Sequence, residues 1–103
     1  MTVDEQQILE AALVMALPAN DGFVKCDRVI RHALLDQWNE ELELAACVSG
    51  YEHPAVASAY DAIRSLAYHG LLDWHGDLTL PAGPRYTECR ISAAGRLALG
   101  SAT

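Results

Sequence analysis

Tyr60-Asp-Ala-Ile-Arg-Ser-Leu-Ala-Tyr-His-Gly-Leu-Leu-Asp-Trp74 holds the end of a helix, a glycine stop and the start of a strand in fifteen residues. Ile63, Leu66 and Ala67 continue a helical spacing begun at Val56, Ala59 and Tyr60, which predicts a helix with one buried stripe. Pro54 suits its first position, where the missing N–H costs nothing, and Gly70 suits its C-terminal cap. Leu71 to His75 then read as a strand. The opposite face of this helix is expected to carry Ser58, Asp61, Ser65 and Tyr68, with Ala57 and Arg64 on one flank and His69 on the other.

Downstream, Gly76-Asp77 reads as a turn, Leu80 to Pro84 as loop, and Arg85 to Ile91 as a second strand. Ser92 is expected to cap a short last helix containing Leu97 and Leu99. Upstream, Thr2-Val-Asp-Glu5 has capping-box spacing, and Ile8, Leu9, Ala12, Leu13, Ala16 and Leu17 give a first helix, mostly buried, that Pro18 stops. Asn20-Asp21-Gly22 is a turn. Phe23 to Cys26 fits a short strand and Asp27 an N-cap. Val29, Ile30, Ala33, Leu34, Trp38, Leu42 and Ala45 keep helical spacing up to Ser49-Gly50, either as one long helix or, on the preferred reading, two short ones broken near Gln37 to Glu40.

At 103 residues, with 51% of them hydrophobic, the chain is expected to be one domain spanning 1–103 with a core of its own. The apolar run Ala11 to Leu17 lacks the basic flank of a secretory leader, and no stretch approaches the roughly 18 residues of a membrane span. Cys26, Cys47 and Cys89 are widely spaced and odd in number, so reduced thiols in a cytoplasmic protein are expected.

The order helix, short strand, helix, helix, hairpin, short helix resembles the winged helix-turn-helix superfamily. Tyr60 to Trp74 is similar to its recognition helix and first wing strand. Cys89-Arg-Ile-Ser-Ala-Ala-Gly-Arg-Leu97 is similar to its closing strand and the turn into a final helix, with Cys89 where Tyr is usual, Ile91 for Leu, Ser92 for Thr, and Gly95 matching. Only three residues follow Gly100, so the extra dimerisation helices of many such repressors are not expected, although a homodimer is.

That resemblance implies a mainly α fold with a small β-hairpin wing, and a DNA-binding transcriptional regulator that needs no cofactor. Ser58, Asp61, Arg64 and Ser65 would then point toward base edges of double-stranded DNA, while Lys25, Arg28, Arg31, Arg85 and Arg90 would meet phosphates. Six of the seven basic residues lie in those segments. Against this stands a formal net charge of −7, which repels polyanions at long range.

Asp36 to Glu52 contains no Lys or Arg. It supports an alternative in which Glu40, Glu41, Glu43, Tyr51 and Glu52 dock a basic protein partner, in an adaptor or in a mobile-element inhibitor that mimics nucleic-acid charge. The spacing of His32, His53, His69 and His75 matches no zinc pattern, so no metal is expected. His53 reads as a weak helix cap. No GxSxG, Walker or GxGxxG motif is present, so no enzyme is expected. Trp38, Trp74 and Tyr60 are placed as packing residues rather than base-stacking ones.

Overall fold

The computed structural model describes residues 2–47, 53–77 and 85–102. Five helices and three strands follow in the order α1 (Val3–Met15), β1 (Val24–Lys25), α2 (Cys26–Ala33), α3 (Glu40–Cys47), α4 (Pro54–Tyr68), β2 (Leu72–Asp77), β3 (Arg85–Ile91) and α5 (Ala93–Ala102). The architecture is mainly helical, with one antiparallel sheet in the order β1-β3-β2. The helix between Asp27 and Ser49 is indeed two, α2 and α3. Single-turn 3-10 segments lie at Pro18–Asn20 and Leu35–Gln37.

α4 carries the fold. His53 caps it, its Nδ1 accepting from the Ala55 amide at 3.2 Å. At the other end the Leu71 amide donates to the Leu66 carbonyl at 2.9 Å, with Gly70 left-handed at φ +73°, the arrangement that satisfies the last carbonyls of a helix. Val56, Ala59, Ala62, Ile63 and Leu66 are buried. Ile63 and Leu66 meet Ile8, Leu9, Ala11 and Ala12 of α1, Val29 and Ile30 of α2, and Leu72, Cys89 and Ile91 of the sheet in one core. Leu34, Trp38, Tyr60 and Leu99 pack at its edge, while Val56 is buried outside that cluster.

Several expectations need correction. Leu13 and Leu17 are 39% and 44% exposed, because apolar residues wrap around more of α1 than its neighbours cover. Val14 and Leu97 of α5 are exposed too. Glu5 does not complete the capping box. Thr2 accepts from the Glu5 amide at 3.1 Å, but the Glu5 carboxylate accepts from the Ser65 hydroxyl at 3.3 Å. Asp27 is not an N-cap, since β1 runs directly into α2 at Cys26 and Lys25 takes the cap position. Gly76 and Asp77 are not a turn. They pair with Tyr86 and Arg85 past a bulge between His75 and Gly76, where glycine tolerates the irregular backbone. Ser49-Gly50 and Leu80 to Pro84 lie outside the described residues.

None of the described helices is long and apolar enough to cross a membrane. Ile63 is fully buried, so Ile63→Ala should cost about 2 to 5 kcal/mol in denaturant melts. A loss below about 0.5 kcal/mol would contradict its place in the core. A Cβ at Gly95 would collide with the Leu71 carbonyl and lie 2.8 Å from Ile91 Cγ1. Gly95→Ala should therefore destabilise by about 1 to 3 kcal/mol although alanine favours helix, and a neutral or stabilising result in the same melts would contradict this contact.

Candidate interaction surface

The exposed residues of α4 include Ala57, Ser58, Asp61, Arg64 and Tyr68, and Ser65 is half-buried. Tyr68 is 86% exposed. Two of the four residues placed toward base edges face elsewhere. Ser58 donates to Asp4 Oδ2 at 3.1 Å and Ser65 to Glu5 Oε1 at 3.3 Å, because the first turn of α1 lies along that flank. Asp61 and Arg64 point outward and pair with each other at 3.8 Å, both more than half exposed. The outward face of α4 thus combines a loose ion pair with a tyrosine that the sequence had placed there but given no role.

The residues placed at phosphates divide sharply. Arg90 donates to Asp73 Oδ2 at 3.0 and 3.1 Å and to the Asp21 carbonyl at 2.8 Å. Its guanidinium also lies 4.4 Å from the centre of the Phe23 ring, and the other face of that junction is closed by His75 stacked on Phe23 at 3.9 Å. The bonds to Asp73 push its pKa further above the ordinary arginine value. This residue ties β3 to β2 and to the turn before β1.

Arg31 donates to Glu43 at 2.7 Å, and the Trp38 indole donates to the same carboxylate oxygen at 2.7 Å. Lys25 and Arg28 are exposed. Lys25 sits opposite Glu88 in the ladder, and Arg28 follows Asp27, whose carboxylate accepts from the Arg28 amide. Arg85 begins β3, and its side chain lies outside what is described. Each of the four described cations, Lys25, Arg28, Arg31 and Arg90, therefore has an acidic neighbour, and these four form no continuous basic stripe. The contribution of such neighbours is mostly electrostatic screening where both groups are exposed.

Of the acidic docking residues, Glu43 is occupied by Arg31 and Trp38, whereas Glu40 and Glu41 are exposed. Glu41 approaches His53 Nε2 at 4.0 Å. Tyr51 and Glu52 lie outside the described residues. Asn39 caps α3 by accepting from the Leu42 amide at 3.0 Å, presenting Glu40 and Glu41 in its first turn, where carboxylates are favoured by the helix dipole. Trp74 and Tyr86 meet edge-to-face at 4.5 Å and are half-buried, in keeping with packing.

Cys26 and Cys89 are buried free thiols. A hydrogen bond between them, together with burial, pushes the Cys26 thiol well up, so it stays protonated and is a poor nucleophile. Among the described residues, no group of three His, Cys, Asp or Glu side chains could hold a metal.

The two classes of arginine should separate in thermal melts. Arg90→Ala should lower Tm clearly, because Asp73 and the Asp21 carbonyl lose their donor, while Arg28→Ala should leave Tm nearly unchanged. Equal shifts would contradict the structural role of Arg90. In comparisons with known proteins, no family model, no curated protein and no solved structure matches the chain.

Proposed function

We propose that the protein is an acidic protein-interaction module on a winged-helix-type scaffold, whose partner presents basic side chains. What carries this reading is the charge pattern. Arg31, Arg64 and Arg90 pair with carboxylates, Lys25 and Arg28 have Glu88 and Asp27 as neighbours in the ladder and along the chain, and Glu40 and Glu41 stand exposed on α3 in a chain of net charge −7. A duplex brought to α4 would meet Asp61, with Asp4 and Glu5 on the flank, and phosphates are repelled by each. A basic protein surface would be attracted and steered by the same groups. The scaffold resemblance rests on the order helix, strand, helices, hairpin and on the Gly70 junction; no catalytic constellation is proposed.

A second reading has one specific observation in its favour. Lys25 and Arg28 are exposed at the start of α2, which in a helix-turn-helix protein is a place for phosphate contacts. A DNA-binding regulator would use them with Arg64.

One pair of titrations separates the two. Lysine-rich peptides of about twelve residues and mixed-sequence duplex DNA are each followed by fluorescence anisotropy at about 20 and 150 mM salt, where the screening length falls from roughly 20 to 8 Å. The peptides should bind with salt-sensitive affinity, severalfold weaker for the double variant Glu40→Gln, Glu41→Gln, and the duplex should not bind. Duplex binding whose log–log salt slope falls by about one unit in Arg28→Ala would overturn the proposal in favour of the DNA reading.

A further inference from the structure

A groove runs beside α1. One stretch of it, with a volume of about 100 Å3, is walled by Asp4 and Gln7 of α1, Gln37 after α2 and Ser58 of α4, over a floor that includes Ile8 and Leu34. A second stretch, of about 220 Å3, shares Gln7 and Ala33 with the first and continues to Glu10, Val14 and His32. From Asp4 to Val14 the helix rises about 15 Å, the length of roughly four or five extended residues.

The lining has a consistent chemistry. Asp4 and Glu10 are the charged groups along it and no Lys or Arg lines either stretch. The side-chain amides of Gln7 and Gln37 have no partner among the described residues, and they reach the groove from two different elements, α1 and the 3-10 turn after α2. The floor is apolar. Each stretch is below the roughly 300 Å3 at which small-molecule pockets begin, and the groove is open at the surface, so it suits a strip of chain with side chains rather than a cofactor.

We infer that this groove seats a short extended segment of the partner carrying a lysine, an inference that rests on the protein-binding reading proposed above. The ammonium lies at Asp4, whose Oδ2 already accepts from Ser58 at 3.1 Å and whose carboxylate retains acceptor capacity. The methylenes cover Ile8 and Leu34, as long cationic side chains do on apolar surface. Gln7 and Gln37 each offer both a donor and an acceptor, the pair of functions that an extended backbone needs from a groove without a free strand edge. The groove adjoins the acidic face of α3 through successive contacts: Ala55 lines the first stretch, its amide is capped by His53, and His53 faces Glu41.

The test is an NMR titration of the full chain with acetyl-Lys-Ala-Lys-Ala amide and, separately, acetyl-Glu-Ala-Glu-Ala amide. The lysine peptide should give saturable amide shifts at Gln7, Ile8, Ala33 and Ser58. Its affinity should fall about threefold to fivefold in Asp4→Asn, a variant that keeps the Thr2 cap, and binding should disappear in Gln7→Lys, which places a like charge on the shared wall. Circular dichroism of both variants checks that α1 is intact. Shifts confined to Glu40 and Glu41 would overturn the groove while leaving the basic-partner reading standing. Equal shifts with the glutamate peptide, or no saturable shift at all, would overturn the inference too; failure of the broader reading would show instead as duplex binding without binding of the longer lysine-rich peptides.

Discussion

The junction at the end of α4 is the constraint on which the rest of the molecule depends. Gly70 turns the chain out of the helix with a positive φ, which costs a glycine little and a residue with a Cβ more. Ser92 then binds the junction from the far end of the hairpin. Its hydroxyl donates to the Gly70 carbonyl at 2.7 Å and accepts from the Gly95 amide at 3.0 Å, and its own amide donates to the Leu71 carbonyl at 3.1 Å. One residue thereby caps α5, satisfies the exit of α4 and fixes where β3 ends. Gly95 is required for the same reason, because the Leu71 carbonyl occupies the space a side chain would fill. With both ends of the hairpin held, Leu72, Cys89 and Ile91 are carried onto Ile63 and Leu66, and β1 finds its partner in β3.

A second cross-connection works through charge. Arg90 sits on the outer side of β3, where Asp73 is its ladder partner, and reaches across to Asp21 and the Phe23 ring. A guanidinium can bond several oxygens in one plane while its face rests on an aromatic ring, so it joins three separated segments that a lysine could not. Asp21 itself has φ +56°, a conformation that Asp tolerates better than most residues. The functional consequence is that a cation that the sequence places on the hairpin is spent inside the fold. The same holds to a lesser degree for Arg31, shared between Glu43 and the Trp38 ring. Carboxylates thereby outweigh the cations that remain at the surface, and the proposed partner chemistry rests on that difference.

Much of the architecture was legible in the sequence. The period of the apolar residues between Val56 and Leu66, the Pro54 and Gly70 boundaries and the Thr2 and Ser92 caps follow from local rules, since capping and period depend on residues a few positions apart, whereas for the stretch from Asp27 to Ser49 the sequence left one helix or two open and the structure has two. Local rules also hold for His53, whose place before Pro54 suffices to make it a cap. The net charge of −7 and its concentration between Asp36 and Glu52 are likewise properties of the chain.

Where each face ends and which charges remain available are matters of packing. Leu13 and Leu17 lie on the apolar stripe of α1 yet stay exposed, because the extent of burial depends on how much of α1 its neighbours cover. Ser58 and Ser65 sit on the polar side of α4, but the first turn of α1 brings Asp4 and Glu5 to them, 54 and 60 residues away in sequence. Arg90 and Asp21 are 69 residues apart, so no local pattern announces their bond. Long-range pairing of this kind is set by chain topology and side-chain reach, whereas helical period and caps are set by neighbours along the backbone; local order along the chain is enough for most of the elements, and the packing of α1 and the hairpin against α4 sets the surface they present.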